Sequence, residues 1–318
     1  MTFSTDKPGV ITLLGPTGVG KSYLAVLLAP SLEAEIISVD SMQIYRGMDI
    51  GTAKIDQAAR QKVAHHIIDI IDPGQNYSAA DFQEAARAAI GDVFKRKKIP
   101  FLVGGTGLYF EAAVFDMCFP PESADEDLRG RLEDWAAGDP DGLRRKLTEV
   151  DPEFAAGQDA SNMRRVIRAM EVYESTGRTF SSYKDKDRRV CYPYAGAVID
   201  MPRPLLYKSI EDRVDGMIEA GLVEEVAGLK QQGALSRTAR QALGYKEILN
   251  HIEGRGTIEE AVAEIKKRSR RYAKRQITWF RHIPNLRWFE IREEDLYDAT
   301  AITGMLREYF ENEIKRLA

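Results

Sequence analysis

The chain has 318 residues, of which 44% are hydrophobic and 30% charged, a composition typical of a globular protein and not of a disordered or fibrous one. This length predicts one large α/β domain and a second, smaller one. The formal net charge of −4, from 45 basic and 49 acidic side chains, excludes a uniformly basic nucleic-acid binder.

The first predicted element is a buried strand at residues 10–14, which leads into Gly-Pro-Thr-Gly-Val-Gly-Lys-Ser and then an amphipathic helix. Strand, glycine-rich loop and helix in this order predict a phosphate-binding loop (P-loop). Its residues are Gly15, Pro16, Thr17, Gly18, Val19, Gly20, Lys21 and Ser22. The backbone N–H groups would face phosphate oxygens, Lys21 adds positive charge, and Ser22 offers a hydroxyl to Mg²⁺. A nucleoside triphosphate is the default ligand, but any diphosphate fits the same loop.

Two further strands, at residues 36–39 and 101–103, end in polar loops, with a helix predicted at 79–97 between them. Strands alternating with helices predict a doubly wound parallel sheet whose sites lie at the carboxyl ends of the strands. Asp40, after the second strand, suits a general base or a metal ligand, or else caps an Asp-Ser turn. Thr106, after the third strand, either hydrogen-bonds a ligand or belongs to a tight turn.

The sequence becomes charged and helical after Pro121 and remains so to about Arg189, which predicts an inserted helical domain. A strand at 194–201 then returns to the sheet. We therefore expect the core domain at 1–119 and 193–318, with the insertion at 120–192.

The last clear helix is predicted to begin after the capping box at Thr257 and to end before Pro284, with Ile265, Tyr272 and Trp279 on its apolar face. Within it, residues 266–281 carry eight Lys or Arg and no acid, interleaved with aromatic residues. Such a segment is typical of a nucleic-acid contact surface. Alternatively, it is a solvated face that serves an acidic neighbouring domain.

Two other residue pairs suggest no catalytic chemistry. His65 and His66 are adjacent on a predicted strand, so their side chains point to opposite faces and do not form a metal pair. Cys118 and Cys191 are too few for a disulfide framework, which favours a reducing compartment. With no predicted membrane span or targeting segment, we expect a cytoplasmic protein.

Six sequence blocks, in this order, resemble those of the bacterial tRNA dimethylallyltransferases. They are the P-loop, Asp-Ser-Met-Gln-Ile-Tyr-Arg-Gly-Met-Asp-Ile-Gly-Thr-Ala-Lys (40–54), Tyr-Ser-Ala-Ala-Asp-Phe (77–82), Val-Gly-Gly-Thr-Gly-Leu-Tyr (103–109), Gln-Ala-Leu-Gly-Tyr-Lys (241–246) and Lys-Arg-Gln-Ile-Thr-Trp-Phe-Arg (274–281). The resemblance spans nearly the whole chain. It implies a P-loop α/β core with an inserted helical domain.

The resemblance also implies a reaction, in which a dimethylallyl group passes from dimethylallyl diphosphate to the exocyclic amine of the adenosine 3′ of the anticodon. The P-loop would then hold the diphosphate of the donor, with Mg²⁺ at Ser22. Asp40 would be the general base, Thr106 its hydroxyl partner at the amine, and Arg213 a diphosphate ligand. We expect a monomer whose partners are the anticodon stem-loop of tRNA and dimethylallyl diphosphate.

The resemblance assigns further residues to tRNA contact, some in the core domain and four in the insertion. These are Ser41, Met42, Gln43, Arg129, Arg164, Arg165, Arg168, Gln241, Gly244, Tyr245, Lys246, Lys274, Arg275, Gln276 and Arg281.

Three other functions fit parts of the sequence. An adenylate isopentenyltransferase would use a free nucleotide and need neither the basic helix nor the insertion. A P-loop small-molecule kinase would use an arginine-rich lid, which the insertion could imitate. An ATP-dependent RNA-binding protein would tolerate loss of Asp40.

Overall fold

The computed structural model describes residues 9–121, 125–183, 189–233, 235–296 and 298–317. The chain divides into two compact units: a core unit, Met1–Val114 with Cys191–Ala318, and an inserted unit, Phe115–Val190. The inserted unit begins and ends a few residues before the insertion expected from the sequence.

The core unit contains a six-stranded parallel sheet with the order β3-β2-β4-β1-β5-β6. The strands are β1 (Val10–Leu14), β2 (Ala34–Val39), β3 (His65–His66), β4 (Ile99–Gly104), β5 (Tyr194–Asp200) and β6 (Leu286–Glu290). In the pairing register Gly104 lies opposite both Leu14 and Val39. The P-loop, the Asp40 loop and the Thr106 loop therefore leave the sheet side by side.

The helices are numbered through the whole chain. Those of the core unit before the insertion are α1 (Lys21–Leu28), α2 (Gln57–Lys62), α3 (Ala79–Lys95) and α4 (Gly107–Val114). Those of the inserted unit are α5 (Glu126–Gly138), α6 (Pro140–Val150), α7 (Pro152–Ala155) and α8 (Met163–Thr176). Those after the insertion are α9 (Arg203–Glu219), α10 (Leu222–Gln231), α11 (Arg237–Arg240), α12 (Tyr245–Ile252), α13 (Ile258–Phe280) and α14 (Thr300–Leu317).

Helix α14 covers the sheet together with α1, and the expectation that the preceding basic helix is the last one was wrong. Its residues Ile302, Leu306 and Phe310 are fully or almost fully buried and join one apolar cluster with Ile11 and Leu28. Their spacing of four places them on one face of the helix.

The inserted unit has its own apolar core, formed by residues such as Leu132, Leu147 and Met170. Its helices begin at side-chain caps, for example Asp139 and Asp151, each of which precedes a proline at the first helical position. A capping carboxylate satisfies a free N–H and proline is preorganised for that position, so these Asp-Pro pairs start helices.

Helix α13 begins after the predicted capping box at Thr257, but its buried face differs from the predicted one. Ile265 is buried as expected, whereas Trp279 is 37% exposed. The buried stripe runs instead through Ser269, Ala273 and Gln276.

The two adjacent histidines contact different partners, as expected for neighbours on a strand. His66 contacts Glu35 through Nε2 at 2.7 Å, and His65 contacts the Val63 carbonyl. Cys118 and Cys191 are not joined by a disulfide. Among the residues that the structure describes, no helix is long and apolar enough to cross a bilayer.

Candidate active site

Two of the three loops at the edge of the sheet, the Asp40 loop and the Thr106 loop, are joined by hydrogen bonds. The Thr106 backbone N–H donates to the Val39 carbonyl at 3.1 Å, and the Ser41 N–H donates to Thr106 Oγ1 at 3.1 Å. Asp40 lies between Val39 and Ser41, so its position is fixed relative to the Thr106 loop.

The P-loop has the strained backbone that its glycines permit. Gly18 and Gly20 have φ values of 84° and 83°, in the left-handed region that other residues rarely adopt. Helix α1 starts at Lys21, and no side chain caps it. The first N–H groups of the helix are therefore available to an anion.

Charge at the P-loop is arranged for an anionic ligand. Burial lowers the pKa of Lys21 to about 7; repulsion from Arg213 adds to this effect and attraction to Asp40 opposes it. Burial likewise lowers the pKa of Arg213, against the attraction of Asp40. Two desolvated cations near one carboxylate form a site that a diphosphate would stabilise.

Asp40 caps its own turn and also lines the cavity. Its Oδ1 accepts the N–H groups of Met42 at 2.9 Å and Gln43 at 3.3 Å. The turn-capping alternative is therefore correct, and it is compatible with a base because the same side chain lines a cavity beside the P-loop.

That cavity has a volume of about 530 Å³ and brings together elements far apart in the sequence. Its lining includes Thr17 of the P-loop, Asp40, Ser41, Met42, Gly51, Thr52, Arg213 of α9, Gln241, Gly244, and Arg268, Arg271, Tyr272 and Arg275 of α13. A carboxylate, a P-loop residue beside Arg213, and a basic helix thus share one space.

The basic residues of α13 divide into two groups. The first group forms ion pairs. Lys266 pairs with Asp215, and Lys267 pairs with Glu264. Arg268 pairs with both Glu247 and Glu264, and Arg270 pairs with Glu211. Within the described residues no ion pair is found for Arg271, Lys274, Arg275 or Arg281. The acids that pair with the first group belong to the core unit itself, and the second group is available to RNA.

Two of the residues predicted to contact tRNA have buried side chains. Gln276 is 6% exposed, and its amide bonds the Thr17 N–H and the Gly105 carbonyl. Tyr245 is fully buried and donates its hydroxyl hydrogen bond to Glu225. Neither side chain reaches a surface that RNA could touch, because helix packing turns both inward.

Three other core-unit residues that were predicted to contact tRNA are buried or bonded within the protein. The amide of Gln43 interacts with Ser38 and the Thr52 carbonyl, so this side chain is used internally. Gly244 is buried and begins α12. Lys246 donates to exposed Gln241 at 3.2 Å.

In the inserted unit, most of the predicted arginines have acidic partners. Arg129 and Arg168 both pair with Glu171, which is 2% exposed, and Arg165 pairs with Asp159. Arg129 and Arg168 thus neutralise a buried carboxylate, and their contact with RNA stays a prediction. Arg164 is exposed near the start of α8.

Two residues that the sequence did not single out shape the site. Glu225 accepts the N–H groups of Asp49, Ile50 and Gly51, which holds the loop that lines the cavity near Thr52. Ser209 donates to the Gly18 carbonyl at 2.6 Å. No local pattern could reveal either contact, because each joins residues more than 170 positions apart.

Comparison with known proteins identifies the family. A family model described as IPP transferase matches residues 43–283. The tRNA dimethylallyltransferase of Bacillus licheniformis is 45% identical over 287 residues, covering 90% of this chain and 91% of that protein. The one from Carboxydothermus hydrogenoformans is 46% identical over 294 residues, covering 92% and 94%.

Solved structures give the same result. The crystal structure of a tRNA isopentenylpyrophosphate transferase from Bacillus halodurans superposes with a TM-score of 0.71 at 39% identity, covering 98% of each chain. A eukaryotic dimethylallyltransferase acting on tRNA has a TM-score of 0.78 at 27% identity, covering 96% of this chain and 80% of that one. Both the sequence and the fold therefore show that this chain belongs to the IPP transferase family of tRNA prenyltransferases.

Proposed function

We propose that this enzyme transfers the dimethylallyl group of dimethylallyl diphosphate to the exocyclic amine of the adenosine 3′ of the anticodon in tRNA, releasing diphosphate. The observation that carries the proposal is the single cavity in which Asp40, the P-loop and the basic helix meet. The tRNA dimethylallyltransferases that resemble this chain over most of their length support it.

Asp40 serves as the general base. The lone pair of an adenine amine is delocalised into the ring, so the amine becomes a competent nucleophile only as its proton is accepted. The turn that Oδ1 forms with Met42 and Gln43 keeps the carboxylate at the cavity. The hydroxyl of Thr106, tied to Ser41, lies on the next loop to help orient the amine.

The P-loop and Arg213 stabilise the leaving group. Attack at the allylic carbon breaks its bond to oxygen, and negative charge grows on the departing diphosphate. Lys21, Arg213 and the N–H groups at the start of α1 provide positive potential at that point. The P-loop would thus bind the donor, and ATP would be neither required nor hydrolysed.

Mg²⁺ suits the donor atoms available here. The part of the chain that the structure describes contains no cluster of three His, Cys, Asp or Glu side chains. Ser22 offers a hydroxyl oxygen in the first turn of α1. Mg²⁺ is commonly bound by one or two protein oxygens plus phosphates and water, so Ser22 would hold it against the donor's diphosphate, where it would neutralise developing charge.

Arg271, Lys274 and Arg275 would bind the acceptor. A base in the anticodon loop must leave its stack to enter a cavity, at a cost of a few kcal/mol, which contacts to neighbouring phosphates offset. Arg271 and Arg275 line the cavity itself, where a flipped base would enter. This arrangement favours RNA over the free nucleotide that an adenylate isopentenyltransferase uses. We expect the enzyme to act on tRNA in the cytoplasm, as a monomer.

The test is a transfer assay with labelled dimethylallyl diphosphate, offering unmodified tRNA and AMP in separate reactions, followed by nucleoside analysis. Labelled dimethylallyl adenosine should be recovered from tRNA only. Efficient labelling of AMP would instead support the adenylate enzyme. ATP hydrolysis stimulated by tRNA would contradict the assignment of the P-loop to the donor.

A further inference from the structure

Gln276 joins two loops of the active site from their buried side. Its Oε1 accepts the Thr17 N–H of the P-loop at 2.8 Å, and its Nε2 donates to the Gly105 carbonyl at 2.8 Å. These partners lie 259 and 171 positions away in the sequence. The amide is therefore a direct bridge between the P-loop and the Thr106 loop.

The site leaves little freedom for this amide. A Cβ added to Gly105 would collide with Nε2, so the amide lies directly against the glycine. Thr17 presents a donor and Gly105 an acceptor, and a primary amide satisfies both at once. Leaving either group buried and unpaired costs about 1–3 kcal/mol.

Helix α13 makes a second contact with the same loop. Trp279, three residues after Gln276, lies against Gly107, where an added Cβ would collide with its ring. The opposite surface of the same turns carries exposed Arg271, Lys274 and Arg275. One helix therefore anchors the catalytic loops on its buried side and offers cations on its exposed side.

We propose that Gln276 is a positioning residue that holds the P-loop at a fixed distance from the Thr106 loop, so that the diphosphate site is formed before the donor arrives. This inference rests on the proposed function, in which the P-loop binds the diphosphate. Gln276 itself touches neither substrate. Its loss should weaken diphosphate binding while RNA binding remains unchanged.

The variant Gln276→Glu tests this with a pH profile. An ionised carboxylate can accept the Thr17 N–H but cannot donate to Gly105, whereas a protonated carboxyl group can do both. By calorimetry, the variant should bind inorganic diphosphate about tenfold more weakly than the wild type at pH 8. The ratio of the two dissociation constants should return towards one as the pH falls to 5.5.

Two more variants separate positioning from other roles. Gln276→Met removes both hydrogen bonds, so its diphosphate affinity should be low at every pH. Thr278→Val is the matched control, because Thr278 lies exposed on the same helix and its hydroxyl bonds only the Lys274 carbonyl. This control should bind diphosphate and tRNA as the wild type does.

A measurement on the wild-type protein covers the case in which the variants fold poorly. The Thr17 amide should exchange its hydrogen slowly before any ligand is added, because Gln276 already bonds it. Rapid exchange of Thr17 in the free enzyme would overturn the proposal. So would a Gln276→Glu affinity ratio that does not change with pH, or a loss of tRNA affinity with diphosphate affinity intact.

Diphosphate binding and prenyl transfer are measured separately. If the enzyme binds diphosphate but does not modify tRNA, the proposed function fails and the positioning role of Gln276 stands. If transfer to tRNA occurs but Gln276→Glu binds diphosphate normally at pH 8, only the positioning role fails.

Discussion

At the scale of single residues, Asp40 combines a structural and a chemical role in one carboxylate. Oδ1 bonds the N–H groups of Met42 and Gln43, and this turn keeps the group at the cavity. An amide of the same shape preserves the turn but cannot accept a proton. The two roles can therefore be separated by a single substitution.

Asp40→Asn should lower kcat by about 10²-fold or more, since general-base catalysis contributes factors of this size, and should leave tRNA affinity unchanged. Single-turnover transfer and a filter-binding titration measure the two quantities. Asp298→Asn is the matched control, because Asp298 also caps a turn through the Thr300 N–H and is exposed. Near-normal turnover of Asp40→Asn would remove the general-base assignment.

Lys21 should take up a proton when the donor binds. Its pKa of about 7 in the free protein means that it is largely neutral at pH 8, and an adjacent diphosphate favours the cation. Calorimetry in buffers of different ionisation enthalpy should show uptake approaching one proton at pH 8. Lys21→Arg keeps its charge and should show no uptake; uptake equal to the wild type would point to another group.

The same shift gives Lys21 a pH-dependent effect on stability. Its pKa falls from 10.5, the ordinary value for a solvated lysine, to about 7 in the folded protein, so the unfolded chain binds the extra proton between these values. The contribution of Lys21 to folding free energy therefore becomes less favourable as the pH falls from 10.5 to 7. Bound diphosphate should reduce this dependence.

The sequence predicted Asp40, Lys21 and Arg213 because short motifs carry them. It did not predict the internal contacts of Gln276 and Tyr245. Both are polar residues in polar surroundings, and their inward orientation depends on contacts with Thr17, Gly105 and Glu225 that lie far away in the chain.

At the scale of elements, helix α13 carries basic side chains that form ion pairs and others that do not. Lys266 and Lys267 neutralise acids of the core unit, whereas no described acid pairs with Lys274 or Arg275. Counting basic residues in the sequence could not separate these groups, because Asp215 lies on another helix.

The double variant Lys274→Gln, Arg275→Gln should raise the dissociation constant for tRNA and lower the slope of its logarithm against salt by about two. Lys266→Gln, Lys267→Gln removes the same charge from paired positions and should change both quantities much less. Diphosphate affinity should remain unchanged in both. An equal effect of the two double variants would show that only net charge matters.

Helix α14 should contribute strongly to stability, although the sequence did not reveal it. Phe310 is fully buried against the sheet, so Phe310→Ala should lower the free energy of unfolding by about 3–5 kcal/mol. Met305 on the same helix is 49% exposed, and Met305→Ala should change it by less than about 1 kcal/mol. Denaturant unfolding measures both; similar values would contradict this packing.

At the scale of the whole molecule, the P-loop core was predictable because each functional loop directly follows a strand. Gly104 pairs with both Leu14 and Val39, so the three strands end at the same level and their loops lie together. The inserted unit was predictable as a change in composition. Its arginines were not, because pairing with the buried Glu171 is a tertiary contact that the sequence does not display.

The core unit and the inserted unit differ in the basic side chains that they offer to RNA. The core unit alone supplies the cavity and the exposed cations of α13. In the inserted unit, Arg129 pairs with Glu133 and Glu171, and Arg168 pairs with Glu171, so the two arginines add little net positive charge for RNA. Base selection is therefore expected to depend on the core unit.

The most direct test of the central claim compares two anticodon stem-loop RNAs that differ only at the nucleotide 3′ of the anticodon, adenosine in one and guanosine in the other. Each is incubated with labelled dimethylallyl diphosphate, and the product nucleosides are identified. We predict one labelled dimethylallyl adenosine per adenosine-containing RNA and none in the guanosine-containing RNA. Equal labelling of both RNAs, or label at another position, would contradict the proposed reaction.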